Sequence, residues 1–94
     1  MDDNQIHLNE DKKQFELDVN GELAIINYRL EGKVYSLIHT EVPPAHEGQG
    51  VGRKLVENTL NYIKEKGYQF EPLCSFVAAY VKRHPEWESS MAGH

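Results

Sequence analysis

Between Gln14 and Val19 apolar and polar residues alternate, with Phe15, Leu17 and Val19 on one face and Gln14, Glu16 and Asp18 on the other. A period of two predicts a half-buried strand, its polar face toward solvent. Asn20-Gly21 follows, a strong hairpin signal because both residues tolerate positive φ. A second strand is predicted from Leu23 to Leu30, with Ala24, Ile26, Tyr28 and Leu30 sharing a face. Glu31-Gly32 makes another tight turn. A third strand, rich in β-branched and aromatic residues, runs from Val34 to Val42. Residues 6–9 are a candidate for a short edge strand. Pro43-Pro44 ends the third strand, since neither proline can donate to a ladder.

The period then changes. Val51, Leu55, Val56, Thr59, Leu60 and Ile63 recur at three- and four-residue spacing, which predicts an amphipathic helix running to Lys66. Lys64 and Lys66 suit its negative end, and Gly67 suits its C-cap. Tyr68–Leu73 reads as a fourth strand. Ser75–Arg83 reads as a second helix, with Phe76 and Tyr80 on one side, stopped by His84-Pro85. Residues 89–94 are expected to fray. The order β-β-β-α-β-α predicts one α+β domain over residues 1–94: an antiparallel three-stranded meander, then helix, strand, helix. The single crossover places the fourth strand parallel to the third or nearby.

A chain of 94 residues buries only about 60–65% of its unfolded surface. Bound ligand or self-association is therefore expected to contribute to stability, with a monomer or weak dimer as the assembly. The formal charge of −5 argues against nucleic-acid and membrane partners. Residues 1–50 carry −6 and residues 51–94 carry +1, so the second half better tolerates an anionic ligand. Cys74 is the only cysteine, which excludes an intramolecular disulfide. The start is acidic with no apolar stretch behind it, and no run is long enough to span a membrane. A cytoplasmic location is expected. The histidines are scattered without ligand spacing, so no metal site is expected.

Gly48, Gly50 and Gly52 alternate through the turn that opens the long helix. Such a turn lets a ligand approach unpaired backbone N–H groups where the helix carries about half a positive charge. This is a phosphate cradle or a plain glycine-rich connection. Arg53 and Lys54 oppose the helix dipole in the first turn, a placement that a nearby polyanion would explain. A Walker loop is excluded because Gly52-Arg53-Lys54 lacks the required ending, and a dinucleotide fingerprint is excluded by spacing.

Val42-Pro43-Pro44, Glu47-Gly48-Gln49-Gly50-Val51-Gly52 and Leu55 resemble motif A of the GNAT-superfamily N-acetyltransferases. With His39-Thr40-Glu41, Pro72-Leu73-Cys74 and Arg83-His84-Pro85-Glu86, the chain resembles the minimal single-domain GNAT proteins from Phe15 to Trp87. The resemblance implies a truncated GNAT-like fold that binds acetyl-CoA. It implies pairing of the backbone near Val42 with the pantetheine arm, and pyrophosphate bound by N–H groups from Gly48 through Gln49, Gly50, Val51 and Gly52 to Arg53. It places the thioester between the diverging ends of the third and fourth strands. Position 47 departs from the pattern. Glu stands where Gln or Arg is usual, so its carboxylate is expected to point away from the pyrophosphate.

Cys74 falls beside a helix N-terminus, which stabilises a thiolate below the free value of about 8.5. It can accept and pass on acetyl, as the resemblance implies, or sit inert as a small apolar residue. His39 and Glu41 share a face of the third strand and are candidate bases, or polar residues on a solvent face. Tyr80 stands on the helix where larger GNAT enzymes keep a thiolate-protonating tyrosine, although its spacing with Phe76 also suits packing. Lys82 and Arg83 can join Arg53 and Lys54 around the cofactor's phosphates. The expected function is transfer of acetyl from acetyl-CoA to an amine acceptor. The alternative is a non-catalytic acyl-CoA-binding or protein-interaction module, which a fully buried Cys74 would favour.

Overall fold

A computed structural model describes residues 6–93. The strands are β1 (His7–Asn9), β2 (Gln14–Val19), β3 (Glu22–Glu31), β4 (Val34–Glu41) and β5 (Gln69–Pro72). The helices are α1 (Val51–Glu65) and α2 (Ser75–Arg83), with 3₁₀ turns at Pro44–His46 and Pro85–Ser90. The strands form one sheet in chain order. β1 to β4 pair antiparallel, and β5 runs parallel to β4 as the single crossover requires. This is the mixed fold expected from the pattern, with residues 7–9 pairing as the edge strand.

α1 buries the predicted stripe of Val51, Leu55, Val56, Leu60 and Ile63. It packs with Val77, Tyr80 and Val81 of α2 against Phe15, Leu17, Ala24, Ile26, Tyr35, Leu37 and Phe70 of the sheet. Each fully buried aliphatic or Phe side chain contributes about 1.5–3 kcal/mol. Phe15, Tyr28 and Tyr35 form an aromatic triangle with ring centroids 5.1–5.4 Å apart. Both helices join this one core, so they cover a single face of the sheet.

Three expectations need correction. Gln14 and Glu16, read as solvent-facing, are buried because their neighbours satisfy them: Gln14 Nε2 and Asn9 Nδ2 donate to Glu16 at 2.6 and 3.0 Å. Asn27 Nδ2 donates to Gln14 Oε1 at 3.2 Å. Leu30, read as part of the core face, is exposed beside the β3–β4 turn. Of residues 89–94, expected to fray, 89–93 are held down, and His94 lies outside the described residues. Met91 bridges Phe70, and the Ala92 N–H donates to the Phe70 carbonyl at 2.9 Å. Trp87 covers the core, with the Lys64 ammonium 5.7 Å from its ring centroid.

One irregularity positions the site. Asn27 opposes His39, but Tyr28 opposes Leu37, so Ile38 is an extra residue in β4. Such a bulge reverses the facing of everything beyond it. Past Ile38, Thr40 opposes core residue Ile26 and faces the helices, whereas His39 and Glu41 face the other side.

Candidate functional site

β5 follows β4 only as far as the Leu37–Pro72 pair. There the chain turns away, and the Leu37 carbonyl accepts the N–H groups of both Leu73 (3.1 Å) and Cys74 (2.9 Å). β4 continues to Glu41 without β5 beside it, so the strands diverge as expected. Thr40 on this free stretch and Val42 just past its end form one wall of a cleft of about 440 Å³. Glu47, Gly48, Gly50, Gly52, Arg53 and Phe76 form the rest.

The glycine turn has the geometry an anion requires. Gly48 and Gly50 adopt φ of 81° and 79°, and Gly50 caps α1 in the left-handed region with no side-chain cap. The first bond of α1 runs from the Lys54 N–H to the Gly50 carbonyl at 3.0 Å. Among the described residues, the N–H groups of Gly48, Gly50, Val51, Gly52 and Arg53 have no acceptor within the chain, while the Gln49 N–H turns inward to His46 at 3.4 Å. A helix start leaves such donors available to a ligand.

The side chains divide around this turn. Arg53 lines the cleft and also a neighbouring groove formed with Phe76, Ala79, Tyr80 and Arg83. Gln49, Val51 and Lys54 face the opposite way, into a depression beside Asp18 and Asn20 of the β2–β3 hairpin. Lys54 is thus not grouped with Arg53 and Arg83 as the sequence suggested, because one residue along a helix turns a side chain by about 100°. Glu47, expected to point away, lies on the cleft wall. Phe76, read as the packing partner of Tyr80, is 43% exposed while Tyr80 is buried.

Cys74 is the N-cap residue of α2 and is half-buried. Its Sγ lies 3.3 Å from Thr40 Oγ1, to which the thiol donates. Burial pushes the thiol pKa up. The Thr40 hydroxyl, which rotates to donate to the thiolate, the Val77 and Phe76 amides at the start of α2 and the Thr40 amide act the other way and leave it below its ordinary value. His39 and Glu41 share a face, as their spacing predicts, with His39 Nε2 3.4 Å from Glu41 Oε2. Both are exposed on the face away from the cleft, and Thr40 rather than either of them contacts Cys74. Burial raises the Tyr80 phenol pKa, which keeps it protonated. Among the described residues no cluster of His, Cys, Asp and Glu is placed to hold a metal ion, and no helix is long and apolar enough to cross a membrane.

Thr40, Phe76 and His46 were not singled out from sequence. Thr40 has the wrong parity unless the bulge is known. Phe76 matched a core stripe, and the partner that would have flagged His46 lies far away in the chain.

The family of GCN5-related N-acetyl-transferases matches residues 14–90, which include β2 through α2 and the whole cleft. The chain belongs to this family. Within it, the chain is 32% identical over 77 residues to protein NATD1 of Homo sapiens, covering 79% of this chain and 68% of that one. It is 31% identical over 84 residues to protein NATD1 of Gallus gallus, covering 86% and 76%. The solution structure of a GCN5-like protein from Staphylococcus aureus superposes with a TM-score of 0.71 at 26% identity, covering 100% of this chain and 93% of that one. The protein is thus a small GCN5-related acetyltransferase domain whose sheet and glycine turn border one cleft, with Cys74 against the cleft residues Thr40 and Phe76.

Proposed function

We propose that the protein transfers an acetyl group from acetyl-CoA to an amine acceptor, and that Cys74 carries the group in transit. The observation that carries this reading is the position of Cys74 Sγ. It sits where β5 leaves β4, its pKa lowered, in contact with two residues, Thr40 and Phe76, that also line the glycine-turn cleft. A half-buried sulfur with polar neighbours favours this over a non-catalytic binding module.

The residues fit coenzyme A. Unpaired N–H groups of Gly48 and of Gly50 to Arg53 would hold the pyrophosphate, the chain at Val42 just past β4 the pantetheine arm, and Arg53 and Arg83 the remaining phosphate. Coenzyme A supplies the activated acetyl as a thioester. The Cys74 thiolate attacks the acetyl carbonyl carbon; a new C–S bond forms at Sγ, and the bond to coenzyme A breaks with the electron pair leaving on its sulfur. The protonated Tyr80 phenol is the candidate donor to that sulfur. An uncharged amine then attacks the same carbon, the C–N bond forms, and the Cys74 thiolate is regenerated. The proton shed by nitrogen passes to solvent.

Intact mass spectrometry after mixing with acetyl-CoA tests the reading. One acetyl group on the wild type, mapped to Cys74 and absent from Cys74→Ala, is the expected result. Full turnover by Cys74→Ala would leave direct transfer in place of the covalent route.

A further inference from the structure

We propose that His46 is a positioning residue that holds the glycine turn in its phosphate-facing form from the hairpin side of the molecule. The inference rests on the coenzyme reading above. The turn is weakly braced by its own backbone. Its bonds are His46 N–H to Pro43 at 2.9 Å, then Glu47 N–H to Pro44 and Gln49 N–H to His46, both at 3.4 Å. Gly48 and Gly50 add conformational freedom that must be lost before the free amides can serve one ligand.

The His46 ring supplies the missing tie. Its side chain is only 12% exposed, and Nε2 lies 2.9 Å from Glu22 Oε1. Glu22 opens β3 opposite Val19, at the closed end of the β2–β3 hairpin. On the other edge of the ring, Nδ1 lies 3.4 Å from Gln49 Oε1. A carboxylate only accepts, so Nε2 carries a proton. Nδ1 then accepts from the Gln49 amide nitrogen when the ring is neutral, or donates to the amide oxygen when it is charged, the two being related by an amide flip. Either way the ring draws Gln49 toward Asp18, Asn20 and Lys54 and out of the cleft, leaving the amides of Gly48 and Gly50 at its border. The turn is thus pinned at β4, at α1 and, through His46, at the hairpin. Only the third pin is a side-chain contact.

This arrangement acts on the phosphates and not on the thioester, which lies toward β4 and Cys74. The experiment compares acetyl-CoA with acetyl-pantetheine, the thioester lacking the pyrophosphate, at subsaturating concentrations, reading acetylation of Cys74 by intact mass. Calorimetry with coenzyme A gives affinity directly. His46→Ala and His46→Phe, the latter keeping ring bulk without nitrogens, are expected to lower coenzyme A affinity about tenfold, the effect of one hydrogen bond to a charged group. Acetylation by acetyl-CoA should slow in parallel, and acetylation by acetyl-pantetheine should match wild type. Glu22→Gln, which retains an acceptor for Nε2–H, should stay close to wild type, and Glu22→Ala should resemble His46→Ala. Equal slowing with both thioesters, or coenzyme A affinity unchanged in both His46 variants, would overturn the proposal while the coenzyme reading stands. A wild-type protein that binds no coenzyme A would overturn both.

Discussion

The tip of the Phe76 ring points at Gly52, so close that a methyl group on the α-carbon there would sit 2.4 Å from Cζ. Gly52 is in the first turn of α1 and Phe76 in the first turn of α2, so this contact sets how near the two helix starts approach. The same ring walls the cleft beside Gly48 and Gly50 and the groove that leads to Arg83.

Gly52→Ala should therefore affect binding more than folding. Overpacking costs about 1–3 kcal/mol, while alanine regains up to about 1 kcal/mol of helix propensity. The ring is half-exposed and can swing aside, so stability should fall by about 2 kcal/mol or less. The displaced ring should still obstruct the cleft. Urea denaturation and coenzyme A calorimetry on the same variant check both halves; unchanged affinity would show that Phe76 does not border the bound ligand.

Thr40→Val removes the hydroxyl beside Cys74 while keeping the shape of the side chain. The thiol pKa should rise, because burial, which pushes it up, loses its main opponent. The pH profile of iodoacetamide alkylation should move to higher pH than in wild type. A profile that stays in place would assign the low pKa to the α2 amides alone.

Arg53→Ala and Lys54→Ala should differ sharply although the residues are adjacent. Arg53 borders the cleft and Lys54 the hairpin depression, so only the first should weaken coenzyme A binding and flatten its salt dependence. Equal losses would mean that general charge at the helix start, not direction, governs affinity.

Tyr35, enclosed in the aromatic core, has its phenol pushed up to about 12, first by burial and then by neighbouring tyrosines. Its folded pKa exceeds the unfolded value of about 10. The resulting stabilisation is complete below pH 10 and is lost as pH rises toward 12. Urea titrations across that window should show falling stability in wild type and a shallower fall in Tyr35→Phe. Identical slopes would remove Tyr35 from the alkaline transition.

Much of this architecture was legible along the chain. Alternation from Gln14 to Val19, the Asn20-Gly21 turn and the α1 stripe are local signals, and each element formed where its period placed it. The glycine turn and the cysteine at a helix start were legible for the same reason. The burial of Gln14 and Glu16 was not, because it depends on Asn9 and Asn27 from neighbouring strands. The pairing of Met91 with Phe70 likewise depends on a β5 that lies far earlier in the chain.

The residues alone determined the kinds of element, their order, and a helix start carrying free amides, because period, turn chemistry and capping act over a few neighbours. Which side chains face the cleft was decided only in three dimensions. One extra residue at Ile38 directs Thr40 toward Cys74 and His39 away from it, and a bulge shows itself only in the register with a partner strand.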